Sequence, residues 1–292
     1  MSFFDAIRRF FAPTPAEKAE KLRRRIVNMY GHTEDRKYAL GQLHDLGPTL
    51  APKCLIERFT CRCENGTVDA DEKAYTKQLL LDLGAPCVEP LKKFLLNNDK
   101  DFSWPFRTLS DLISHEELVE FIVELLNSIG PEYVRDTERK EQLMLTIKTF
   151  EEPEIDDAAL RYLNDDNETI RFVTADTIIA HGRKEGIHAL CERLACETSQ
   201  RILSLIANAF RDKSWAIEGD FIEKAQNNLP SEYRINEKGI IDDVVCALPA
   251  LRFFIYEKEV FVDVVCARRA LRIFLRVHSF LRDNLCPNIN VL

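Results

Sequence analysis

Three sets of residues have types that could do chemistry. His-Glu pairs that recur on successive helices can surround metal ions with imidazole and carboxylate ligands. Here His115-Glu116 stands alone, because no Glu follows His32, His44, His181, His188 or His278. A single such pair at a helix start reads as a capping and solvation feature. Cys54, Cys61 and Cys63 have the beginnings of a zinc site, with Cys87 as a further ligand in space. Structural zinc takes four ligands, usually as two close pairs, and no second close pair follows. Cys54 and Cys87 fall on apolar helix faces, where a thiol acts as a small hydrophobe. Cys191 and Cys196 flank a helix end and read as structural. Nucleophilic and nucleotide chemistry lack their signatures: there is no G-x-S-x-G, no P-loop and no Gly-rich dinucleotide turn. The expectation is a protein with no catalytic residues, no bound metal and no cofactor.

Recognition residues are the next set. Ser103-Trp104-Pro105 joins an aromatic anchor to nearby charge, so Trp104, Arg107 and Glu116 are the candidate protein contacts. The competing reading has Trp104 sealing the core between helix pairs. Phe3, Phe4, Ile7, Phe10 and Phe11 form an apolar stripe beside Arg8 and Arg9. That stripe suits a cap over the first helices, or a contact of residues 1–11 with a membrane surface or partner.

Charge and composition narrow the classes. The 292 residues carry a formal charge of -8, which disfavours phosphate neutralisation and therefore nucleic acid. A basic stretch (Arg8, Arg9, Lys18, Lys21 and Arg23 to Arg25) contrasts with acidic runs at Glu151 to Asp157 and Asp165 to Glu168. Both read as solvated helix faces or loops. Nine scattered cysteines, with no signal-like leader, fit reduced thiols in a cytoplasmic protein. No run approaches the ~18 apolar residues of a membrane span.

The elements that position these residues are helices. Ten glycines and twelve prolines are few for a β-sandwich or a Rossmann-type enzyme. Apolar residues recur at three- and four-residue spacing. Tyr38, Leu40, Leu43 and Leu46 end at Gly47, then Leu50, Cys54, Leu55 and Phe59 point inward. Leu79 to Leu83 end at Gly84 before Val88, Leu91, Phe94 and Leu95, and Val173 to Ile179 end at Gly182 before Ile187, Leu190 and Leu194. Glycine past a helix end accepts the left-handed conformation that closes the last turn. Pro48, Pro90, Pro105 and Pro153 fall near helix starts, where a missing N–H costs little. Further pairs cover 106–113 with 116–126, 140–150 with 155–163, and 202–210 with 215–227. Asp156, Asn167 or Asp165, and Thr198 or Ser199 are candidate N-caps, and Cys61 to Asp71 reads as an inserted loop centred on Glu64-Asn65-Gly66.

The segments YALGQLHDLGPTLAPKCLIERF, KQLLLDLGAPCVEPLKKFLL and ETIRFVTADTIIAHGRKEGIHALCERL resemble bacterial HEAT-repeat proteins, including the phycocyanobilin-lyase-type HEAT-like repeats. The resemblance spans residues 14–240 and implies an α-α superhelix, a solenoid of about six helix pairs. It further implies that Arg171 and Asp176 belong to an internal polar ladder. Function is less specified, because solenoids serve many roles. A non-enzymatic scaffold or adaptor that binds protein along its stacked second helices is the leading expectation. The alternative is a metal-dependent modifying enzyme or lyase-type accessory factor on the same scaffold. Three regions are expected: an amphipathic segment over 1–13, the repeats over 14–240, and an atypical tail over 241–292. In the tail, Asp243-Val-Val-Cys-Ala with Ala250-Leu-Arg recurs as Asp263-Val-Val-Cys-Ala with Ala270-Leu-Arg. It reads as a capping helix pair or as a segment whose reading frame was lost. The sequence leaves partner identity and oligomeric state open.

Overall fold

A computed structural model describes residues 13–99 and 101–244. The Phe3 to Phe11 stripe and the tail from residue 245 lie outside them. The fold is all-α, with thirteen helices among the described residues: α1 (Pro15–Ile26), α2 (Thr33–His44), α3 (Ala51–Ile56), α4 (Gly66–Leu83), α5 (Val88–Asn97), α6 (Ser103–Ser110), α7 (His115–Ile129), α8 (Glu138–Ile147), α9 (Pro153–Ala159), α10 (Glu168–His181), α11 (Lys184–Cys196), α12 (Gln200–Lys213) and α13 (Gly219–Asn228). Short 3-10 segments follow α3 (Glu57–Thr60) and α9 (Leu160–Asn164). None of these helices is long and apolar enough to cross a membrane.

The chain ends the helices as its glycines predict. Gly47, Gly84 and Gly182 all hold positive φ, and Gly130 closes α7 in the same way. The helix starts are equally explicit. Thr14 with Glu17 and Ser114 with Glu117 form reciprocal capping boxes on α1 and α7. Asn167 caps α10 through Thr169 and Ile170 N–H, and Ser199 caps α12.

Packing follows a simple rule. The odd helices touch in succession, α1 on α3, α3 on α5, α5 on α7, α7 on α9, α9 on α11 and α11 on α13. The even helices do likewise from α2 to α6 and again from α8 to α12. Between α6 and α8 the link includes a hydrogen bond from Ser103 Oγ to Gln142 Oε1 at 3.1 Å. The apolar core forms two clusters that meet at α10, which gives Ile170 to the first and Ala175, Ile178 and Ile179 to the second.

Several expectations need correction. Tyr38 is exposed, because α2 turns Arg36 inward with Ala39, Leu40 and Leu43. The insert is shorter than Cys61 to Asp71: Asn65 Oδ1 accepts from Thr67 and Val68 N–H, so α4 starts at Gly66. Asp156 lies inside α9 and is not its cap. Trp215 does not begin a helix. Ser214 turns left-handed at φ 55°, and Ala216 then bridges to Ile240. Strands β1 (Tyr233–Ile235) and β2 (Ile241–Asp243) pair in a small hairpin, with Ile241 buried. The first residues assigned to the tail therefore belong to the folded end.

Candidate functional site

An open groove of about 560 Å³ lies on the odd, second-helix row, between the 3-10 segment after α9 and the outer face of α11. Leu160, Leu163 and Ala189 give it an apolar base. Arg161, Arg193, His188, Glu192 and Glu218 line it with charge.

One of these groups, Arg193, belongs to an ion cluster that joins successive helix pairs. Glu197, fully buried before α12, receives Nε of Arg171 at 3.0 Å and Nε of Arg193 at 2.7 Å. Thr198 and Ser199 N–H complete its acceptors at 2.8 and 2.9 Å. Burial alone would raise this carboxyl. The hydrogen bonds from Arg171, Ser199 N–H, Arg193 and Thr198 N–H outweigh it and bring the pKa from 4.5 down to about 2. Arg171 also gathers its own preceding loop through the carbonyls of Asp165 and Asp166. One pair earlier, Lys140 Nζ donates to Asp165 Oδ2 at 2.7 Å, and Arg161 donates to the Leu126 carbonyl.

The same device recurs near the N-terminus. Arg36 Nε reaches Glu72 Oε2 at 2.9 Å and Arg58 Nε reaches it at 3.0 Å, all three side chains being buried. Arg36 donates back to the Gly31 carbonyl, as Arg171 does to its own loop. Arg58 also binds Asp69 at 2.8 Å, and Lys73 closes the cluster on Asp69. The two clamping arginines are 22 residues apart in each case, 36 and 58 in one and 171 and 193 in the other. Only the step to the acid differs: 14 residues from Arg58 to Glu72 against 4 from Arg193 to Glu197. Of the clamp residues the resemblance implies only Arg171, with Asp176 beside it, and the sequence signal for the others is the shared 22-residue spacing. Asp176 is not its partner, since it takes Lys148 Nζ at 2.5 Å.

The remaining sequence candidates are dispersed. Trp104 is half-buried and stacks on Phe59 with ring centroids 6.5 Å apart, whereas Arg107 and Glu116 are exposed. His115 Nε2 meets Glu152 at 2.5 Å and its ring stacks on Phe150, leaving Glu116 on the helix N-terminus. Cys63 Sγ faces Arg58 Nη2 at 3.5 Å, and burial pushes the Cys87 thiol up to about 11. Among the described residues no three His, Cys, Asp or Glu side chains converge as a metal-binding group.

The groove contains one histidine and one exposed thiol, His188 and Cys196. They sit eight residues apart on α11, a rise of about 12 Å, too far for a thiol–imidazole proton transfer. His188 instead takes Glu218 at 2.9 Å and the edge of Phe221. No family model matches the chain, and neither a curated protein nor a solved structure matches it.

Proposed function

We propose that the chain is a protein-interaction scaffold, a HEAT-like solenoid whose second helices α3, α5, α7, α9, α11 and α13 form the binding face. The observation that supports it most is the succession of odd-row contacts, together with the open groove beside α11 in that row. The groove's apolar base with a charged lining suits a peptide or protein segment laid across α9 and α11. Cytoplasmic location and reduced thiols accompany this reading.

Two measurements test it. Small-angle scattering of the full chain should give a radius of gyration well above the roughly 19 Å of a compact chain of this length. A photo-crosslinking residue at Ala189 should capture a partner in the native cell that the same residue at Tyr38, on the other row, does not. Capture must also disappear on Leu163→Glu. A compact radius would sink the solenoid, and equal capture at both positions would sink the groove.

A further inference from the structure

Charge on the odd row is divided along its length. On α1, Lys18, Lys21 and Arg25 are exposed, and among the described residues none of them forms a salt bridge, the ion pairs of this helix being those of Arg23 and Arg24. They follow each other at three- and four-residue spacing, so they share one helix face. On α7, Glu116, Glu120 and Glu124 are exposed at successive four-residue steps, again with no salt bridge among the described residues. Lys53 on α3 and Lys93 on α5 extend the basic block, against Glu17 and Glu89. Glu154 and Asp157 on α9 extend the acidic block, and neither α7 nor α9 carries a Lys or Arg, the one imidazole there, His115, being taken by Glu152.

Both stripes are unfavourable as isolated helix faces, because like charges at three- and four-residue spacing repel. They cannot relieve one another within the chain. The α1 and α7 stripes are three helix steps apart in the row, roughly 30 Å, and the Debye length at physiological salt is about 8 Å. They do match in length, spanning about 10 Å on α1 and about 12 Å on α7.

We infer that the odd row is a self-association surface on which a second copy of this chain docks with reversed direction. The basic stripe of each protomer then faces the acidic stripe of the other, and a two-fold axis satisfies both contacts at once. Glu116, a contact residue expected from sequence, lies inside this surface. The pairing is separate from the groove at α11, so a dimer and a groove partner are independent outcomes.

Sedimentation equilibrium of the full chain at tens of micromolar tests the pairing. The wild type should show the dimer mass in about 0.05 M salt and shift toward monomer in about 0.5 M. Reversing the basic stripe (Lys18→Glu, Lys21→Glu, Arg25→Glu) should weaken the dimer by at least about tenfold. Reversing the acidic stripe (Glu116→Lys, Glu120→Lys, Glu124→Lys) should do the same. The chain with both stripes reversed should dimerise again, which a merely damaged fold would not do. A wild type that stays monomeric in low salt overturns the inference. So does a dimer that survives either single reversal, or a doubly reversed chain that stays monomeric.

Discussion

The clamp around Glu72 and the clamp around Glu197 use the same parts in different surroundings. In each, an arginine four residues past a helix N-cap holds its own loop and reaches an acid of the next helix pair, Arg36 after His32 and Arg171 after Asn167. In each, an arginine 22 residues later closes on the same acid. The N-terminal clamp carries a longer segment between its second arginine and its acid. That length brings in Asp69, which Lys73 also binds, and Arg58 is sealed completely. At the C-terminal clamp Arg171 and Arg193 keep 12% and 13% of their surface, and Arg193 also borders the groove. One clamp is closed off from water, while the other opens onto the groove.

Removing the acid should separate the two. Glu72→Gln leaves Arg36 and Arg58 with a neutral partner and no route to water, so it should cost about 3–5 kcal/mol. Glu197→Gln leaves arginines that can rehydrate, and should cost about 2–3 kcal/mol, at or below the low end for the closed clamp. Urea unfolding of both variants gives the comparison, and hydrogen exchange should place the loosening in α2 to α4 for the first and α10 to α12 for the second. Equal costs would mean that solvent access does not distinguish the clamps.

Acid sharpens the same contrast. The folded Glu197 pKa of about 2 lies below its ordinary 4.5. Its contribution is therefore fully present above pH ~5 and is lost as pH falls toward ~2, about 3 kcal/mol in all. Glu72 and Asp69 are also held low, by Arg36 and Arg58 and by Lys73 and Arg58, against the upward push of burial. Stability measured from pH 6 downward should fall less steeply in Glu197→Gln than in the wild type. A parallel profile would remove Glu197 from the acid response.

The glycine turns offer a smaller test. Gly182 sits in the left-handed region at φ 66°, and an added Cβ would lie 3.3 Å from the Trp215 ring. Gly47 holds φ 81° with nothing within 4 Å of that Cβ. Alanine at either position should cost about 1–2 kcal/mol for the backbone alone. Gly182→Ala should cost the more, since Trp215 must shift. Differential scanning calorimetry of the two variants would detect the order.

These details show where the sequence was readable. Gly47, Gly84 and Gly182 announced the helix ends because a positive φ is a local demand that only one residue meets cheaply. Apolar spacing placed most of the core, but Tyr38 misled it. An amphipathic pattern scores Arg36 as solvent-facing, and only a partner 36 residues away makes its burial favourable. The clamps are legible only in part, through Arg171 and the repeated 22-residue spacing, because each charge reads as surface until its acid is known. The groove is a product of two helix pairs packing and has no local signal at all.

Asn65 and Asn167 bring the comparison to its smallest effect. Both accept two backbone N–H groups, and both stand four residues before a clamp residue, Asp69 in one case and Arg171 in the other. Asn65-Gly66 suggested a turn because that dipeptide favours hairpins, yet here the side chain starts a helix. Replacing either by Ala should cost about 1 kcal/mol through the cap alone. Asp69 also accepts from Cys63 N–H, so the Asn65 cap fixes both the start of α4 and the segment that closes over Arg58. Arg171 is held independently by the carbonyls of Asp165 and Asp166. Asn65→Ala should therefore exceed Asn167→Ala by a few tenths of a kcal/mol. That excess should vanish when each is measured beside Glu72→Gln. An excess that persists would show that the cap and the closed clamp act separately.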